Sequence, residues 1–267
     1  MMMMKKMSWT ATSAVAVALA LSFEVVAAAG WFRTRAPVAP VPAPLVQAAE
    51  AAAQHGEQQA TAPATAAAGP RDGYYAQLRS RIRWVETRIG TDKLLTPDAS
   101  SRVLLAKSAA ERAGLQAVGL SFTDVYGIIN AETSWIPRTG ASKDGTPNLG
   151  LAQFEPATAR ALGLRNPNDP VEAIHVAALH MKEAAEWSAN RIAGLKLSAG
   201  DHAEKLREGV SIFYNLSTKG RNRWNGNNTA KLPIETQLHI RNARTGAEFA
   251  AQLEAQLASS GFVLTGG

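Results

Sequence analysis

"VYGIINAETSWIPRTGASKDGTPNLGLAQFEPATA", residues 125 to 159, joins an apolar run to one acidic side chain, Glu132, then to a polar loop and a second apolar patch. Helical spacing puts Val125, Ile128 and Ile129 on one face, with Glu132 one turn beyond Ile128 and Trp135 nearby. The carboxyl is therefore expected beside an apolar surface. Desolvation disfavours the charged form of a carboxyl, and such surroundings can tune one toward about 6 to 7, where a general acid holds its proton at neutral pH. The alternative is a glutamate in a last helical turn that points into water.

Outward from this stretch the periodicity is helical. In YYAQLRSRIRWVETRIG, residues 74 to 90, Leu78, Ile82, Val85 and Ile89 recur at three- and four-residue spacing, which predicts a packed helix. The segment from Thr96 to Gly114 reads as a second helix, with Thr96 as its cap before Pro97 and Asp98 in its first turn. A third starts at Ser121 or Thr123 and runs through Glu132. Pro156 opens a short helix, Asp169 and Pro170 open a long one to Ile192, residues 201 to 215 form another, and residues 246 to 261 close the chain. Strand signals are nearly absent, so the fold class is mainly α with very little strand. The long loop from Pro137 to Leu149 has room for a short hairpin.

The 267 residues hold roughly one folded domain, because the first seventy have few side chains able to build a core. Residues 1 to 29 combine two lysines, an apolar run from Trp9 to Phe23 and small residues that suit a signal peptidase, which predicts export to the periplasm. Glu24 within that segment would cost a spanning helix about 2.5 to 3.5 kcal/mol near the bilayer centre, so a cleaved signal is favoured over an inner-membrane anchor. Residues 30 to 72 are Ala- and Pro-rich, with prolines at 37, 40, 42, 44, 63 and 70, and read as a disordered linker. A helical region is then expected over 73 to 118, a main domain over 119 to 243 and a C-terminal helix over 244 to 267.

There is no cysteine, which excludes disulfides, thiolate metal sites and a cysteine nucleophile. His175 and His180, five apart on a presumed helix, point to different faces, and no His-Glu-x-x-His pattern, nucleophile elbow or phosphate loop occurs. Neither a metal nor a cofactor is expected. The formal charge of +6 suits an anionic polymer such as a cell wall, or simply a well-solvated surface. The basic segment Lys219 to Arg223 is too short to argue for nucleic acid, and none is expected as a partner.

Four segments between residues 120 and 243, under half the chain, together resemble the lytic transglycosylase family of the soluble (SLT) type. The first is Glu132-Thr133-Ser134-Trp135-Ile136-Pro137, with Thr133 where the family has serine. The second is Gly150-Leu151-Ala152-Gln153 followed by Pro156-Ala157-Thr158-Ala159, with Ala152 in place of methionine, which suggests a smaller groove wall. The third is Phe213-Tyr214-Asn215-Leu216-Ser217, with Ser217 in place of glycine, trailed by Arg221, Arg223 and Trp224. The fourth is Leu232-Pro233-Ile234-Glu235-Thr236-Gln237-Leu238-His239, one residue shorter between proline and glutamate, with His239 where the family prefers tyrosine.

The resemblance implies a lysozyme-like fold with a groove for peptidoglycan strands and a single catalytic carboxyl, Glu132. By the same resemblance Gln153, Tyr214, Asn215, Ser142 and Glu235 would bind substrate. Four of them have a plainer reading: Gln153 as a helix cap, Tyr214 as a core aromatic, Asn215 as a brace for its own segment, and Glu235 as the partner of a base such as Arg241. His239 reads as a surface histidine that could also bond a sugar. Two other functions fit the same residues. A hydrolytic muramidase of the goose-lysozyme kind would favour a second acid, Asp144 or Glu155, although Glu155 also suits the start of the helix opened by Pro156. A non-catalytic wall-binding scaffold, part of an envelope-spanning secretion, conjugation or pilus assembly, is the other.

Overall fold

The computed structural model describes residues 70 to 142 and 144 to 259, which belong to one compact unit, Thr65–Gly267. The expected signal segment and nearly all of the expected linker lie outside the described residues. The described part is mainly helical with little strand. No helix in it is long and apolar enough to cross a membrane.

The first helix, α1 (Pro70–Arg81), begins inside the stretch read as linker and carries Asp72 in its first turn, where a carboxylate suits the free amides. Tyr75 and Leu78 face inward. The helix does not continue to Ile89 as its apolar spacing predicts. Instead β1 (Trp84–Ile89) and β2 (Asp92–Pro97) form an antiparallel hairpin, paired from Trp84↔Pro97 to Ile89↔Asp92 around Gly90 at φ 60°. Trp84, Val85, Thr87, Ile89 and Thr96 are aromatic or β-branched and favour a strand, and Gly90 takes the left-handed turn at low cost. A spacing of three and four over so short a run did not exclude that outcome.

Asp98, rather than Thr96, caps α2 (Ala99–Ala113) by accepting the Ser101 amide, and Gly114 ends it at φ 65°. Burial by itself would raise the Asp98 carboxyl, but bonds from the Ser101 and Ser100 side and Arg83 bring it below the usual range. A short 3-10 turn, Leu115–Val118, leads to α3 (Phe122–Thr133), which opens on a capping box between Ser121 and Asp124. The following loop does contain a hairpin, β3 (Gly140–Ala141) with β4 (Pro147–Asn148). Then come α4 (Pro156–Ala161), α5 (Pro170–Ile192) capped by Asp169, α6 (Ala199–Asn215) capped by Ser198, α7 (Thr218–Arg221), a 3-10 turn at Thr229–Lys231, and α8 (Ile234–Ser259). The helix expected to start at residue 244 is the distal part of α8, so no boundary falls there.

One core runs from Tyr75 to Leu253. It is organised on α5, whose Val171, Ile174, Ala177, Ala178, Met181, Ala184 and Ala185 are buried. The frequent alanines let neighbouring helices approach closely. A close approach joins α3 to α8: a Cβ added at Gly127 would stand 2.3 Å from the Ala243 carbonyl oxygen, and one at Gly246 would stand 2.7 Å from the Asn130 Cβ. Asn130 also bonds the Asn242 carbonyl. Rising numbers on α3 meet falling numbers on α8, so the pair is antiparallel, and the C-terminal turn of α3 faces the first turns of α8.

Candidate active site

Glu132 lies in that last turn of α3. Ser134 and Trp135 follow at φ 53° and φ 65°, both left-handed without being glycine. Such residues cost about 1 to 3 kcal/mol each and persist only where the surroundings over-determine them. Here they do. The Trp135 indole is fully buried, tilts against Tyr126 at 4.8 Å, and donates Nε1–H to the Tyr126 carbonyl. Its own carbonyl accepts the Thr96 hydroxyl at 2.6 Å, which ties the end of β2 to the turn. Arg102 donates to the same hydroxyl oxygen and to the Pro97 carbonyl.

Arg138 returns to the helix end and donates to the main-chain oxygens of Glu132 (2.8 Å) and Thr133 (3.2 Å), a cation at the negative end of the α3 dipole. Packing around its head holds the guanidinium below the ordinary arginine range, opposed by the charge of Glu132. The Glu132 side chain is 15 % exposed, and its Oε1 is 2.8 Å from Nε2 of His239, which is itself 6 % exposed. His239 is thus not a surface residue. Thr236, three residues earlier on the same face of α8, is buried too; that shared face was the available sequence signal.

The second segment wraps this end of α3. Gly150 stands at φ 71° where a Cβ would fall 2.0 Å from the Pro167 carbonyl oxygen, Gln153 is at φ 51°, and Leu149 pairs with Phe154 to close the loop. Three successive carbonyls point to side-chain donors: Gly150 accepts Gln153, Leu151 accepts Thr133, and Ala152 accepts Tyr214. Gln153 gives its other amide hydrogen to the Arg138 carbonyl at 2.9 Å. Both of its donors are therefore spent on the loop, and the cap position of α4 belongs to Glu155 instead. Ala152 is fully buried, so the methionine position contributes no open groove wall here.

Tyr214 reaches this loop from the end of α6. Burial first, and then the negative charge of Glu132, push its phenol well above the usual tyrosine range, so it stays a donor. Behind it lie Phe154 and His180, with ring centroids 6.0 and 5.5 Å away. Burial holds the His180 imidazole below its ordinary value, with Arg221 adding to the effect and Glu183 opposing it. Asn215 accepts the Thr236 hydroxyl at 2.8 Å, which links the third segment to the fourth.

Glu132, Gln153, Tyr214 and Asn215 thus belong to one connected cluster. Ser142 and Glu235 are placed differently. The Ser142 hydroxyl donates to Glu155 Oε1 at 2.6 Å, within the β3–β4 loop. Glu155 sits at the cap position of α4 but makes no side-chain cap bond, so its carboxylate serves the loop instead of the helix start. Asp144 is exposed, and the Thr146 backbone and side chain hold its carboxyl below the usual range. Glu235 is exposed in the first turn of α8, and among the described residues it makes no ion pair with Arg241. A cavity of about 300 Å³ opens between α3, α6 and α8, lined by Leu120, Asp124, Ile128 and Ile240 among others and not by Glu132.

His175 and His180 do diverge: His175 bonds Ser108 and the Val171 carbonyl, whereas His180 faces Tyr214. Among the described residues no group of three or more histidines and carboxylates is placed to hold a metal ion. Compared with known proteins, the chain matches no protein-family model, no curated protein and no solved structure.

Proposed function

We infer that the protein is a lytic transglycosylase of peptidoglycan, with a lysozyme-like arrangement of its helices. The supporting observation is the sheltered carboxyl of Glu132, 15 % exposed, held at the point where the segments around residues 150, 214 and 236 meet. In this reading Glu132 protonates the oxygen between N-acetylmuramic acid and N-acetylglucosamine. The C1–O bond breaks with its electron pair going to the leaving oxygen, and the substrate's acetamido group stabilises the oxocarbenium-like centre. The Glu132 carboxylate then takes the proton of the muramyl 6-hydroxyl, whose oxygen closes on C1. A 1,6-anhydro end results and no water is consumed.

Proton transfer by one positioned side chain supplies about 10² to 10⁴ in rate, so binding and distortion of the sugar must supply the rest. Arg138 and Gln153 act by fixing the loop and helix end that carry Glu132, and Tyr214 remains a protonated donor beside it. The excess of basic residues suits an anionic wall, and export of the chain would bring it there. Local opening of the wall would serve an envelope-spanning secretion, conjugation or pilus assembly.

The test is incubation of the full-length protein with purified sacculi and mass analysis of the released muropeptides. Anhydro products, one water lighter than reducing ends, are expected, and Glu132→Gln should lower release by at least about 10²-fold. Reducing ends would identify a hydrolytic muramidase. Equal release by both forms, or binding without release, would exclude catalysis by Glu132, and the second outcome identifies a wall-binding scaffold.

A further inference from the structure

His239 is held against Glu132 by the whole α3–α8 contact, and nothing local to either residue brings them together. The close approach at Gly127 and Gly246 sets the spacing of the two helices. The imidazole is therefore a fixed object. Its Nε2 meets only one of the two carboxyl oxygens, Oε1, at 2.8 Å, while Nδ1 is buried with no hydrogen-bond partner.

The orphaned Nδ1 selects a tautomer. A neutral imidazole carries its hydrogen on one nitrogen and a lone pair on the other. A buried N–H without an acceptor is rarer and costlier than an under-satisfied acceptor. The hydrogen therefore belongs on Nε2, where it has Oε1 to receive it, and Nδ1 is the bare nitrogen.

The geometry points to His239 as the residue that decides which oxygen of Glu132 transfers the proton: its Nε2–H engages Oε1, leaving Oε2 to carry the proton to the glycosidic oxygen. This rests on the transglycosylase reading of Glu132. As the proton leaves Oε2, Oε1 gains negative charge, and the bond from Nε2–H strengthens because its acceptor becomes ionised. The gain falls in the transition state rather than on substrate binding. The charged and titratable groups around the pair support the assignment. From the loop after α3, Arg138 is occupied with main-chain oxygens of Glu132 and Thr133. From α6, Tyr214 donates to Ala152 and the neutral Asn215 accepts the hydroxyl of Thr236 on α8. Glu235, on α8 itself, is exposed. Among the described residues none of these bonds the carboxyl oxygens, and His239 is a positioning residue acting through Glu132.

Two substitutions separate the nitrogens. His239→Gln places an amide N–H near the position of Nε2, whereas His239→Asn places it near Nδ1. His239→Asn should lower kcat about ten- to hundredfold with KM little changed, and His239→Gln should restore most of that loss. A role limited to filling space predicts equal rates for both, which would overturn the assignment, as would a change in KM with kcat unaltered. Matched melting curves identify a variant that has merely lost its fold. Nitrogen NMR of histidine-labelled full-length protein reads the tautomer without any activity: Nε2 should carry the hydrogen, and its signal should move in Glu132→Gln. A hydrogen found on Nδ1 sinks the proposal even if muropeptides are released. Conversely, absent release with Nε2–H engaged on Glu132 removes the transglycosylase reading, and with it the transfer role, but leaves the pairing itself in place.

Discussion

Thr96 and Trp135 show how single side chains hold the strained turn beside Glu132. The Thr96 hydroxyl is the donor to the Trp135 carbonyl and the acceptor for Arg102, and the residue is 2 % exposed. Thr96→Val keeps the shape and removes both bonds. An unsatisfied buried group costs roughly 1 to 3 kcal/mol, so urea unfolding of this variant should show a loss of about that size, with the slope unchanged. A loss below about 0.5 kcal/mol would mean that the left-handed turn at Ser134 and Trp135 does not depend on β2. At this same scale the sequence exposed Glu132 beside its apolar face, but it hid His239. A histidine after several polar residues carries no local sign of burial; only the matching burial of Thr236 on the same helical face marks it.

At the scale of the element, the contact of α3 with α8 positions the pair. Alanine is favoured over glycine within a helix by roughly 1 kcal/mol, yet a Cβ at Gly127 would meet the Ala243 carbonyl oxygen at 2.3 Å. Backbone cannot rotate aside as a flexible side chain does. Gly127→Ala should therefore destabilise by about 1 to 3 kcal/mol despite its better helix propensity, and under the proposed transglycosylase function should reduce muropeptide release by shifting His239 away from Glu132. Melting temperature and release measured on one preparation check both parts. Helix limits were legible for α3 and α5, because the caps Ser121 and Asp169 and the apolar period agree, whereas α6 opens on its cap Ser198, ahead of the expected residue 201. The run from Ile82 to Ile89 was misleading: its spacing suits a helix, whereas its aromatic and β-branched residues before Gly90 suit the hairpin that forms.

At the scale of the molecule, one core among the described residues unites Tyr75 to Leu115 with the elements after Gly119, and its acid response follows from groups inside it. His180 has its ordinary value at 6.5 and is lowered in the fold by burial, so the native state holds it neutral while the unfolded chain takes up a proton. Its contribution is present above about pH 6.5 and is lost as pH falls below that value. The stability difference between the wild type and His180→Gln should accordingly narrow between pH 7.5 and pH 5. A difference that stays constant would show that the neutral imidazole is not responsible. Because His180 packs behind Tyr214, the same acid step is expected to loosen the wall of the cluster around Glu132.

The sequence by itself determined the mainly helical class, the helix starts at Ser121 and Asp169, and the position of Glu132 one turn past an apolar face. These depend on neighbours within about a turn, and local propensity and periodicity record them. Only the tertiary structure decided that His239 meets Glu132 across 107 residues, that Gln153 turns its amide hydrogens onto its own loop, and that Ser142 belongs to Glu155. The first depends on the spacing of α3 and α8 that two glycines set, and the other two on the folded path of the chain between α3 and α4. A side chain's partner across such a distance is fixed by packing, which no short window of residues contains.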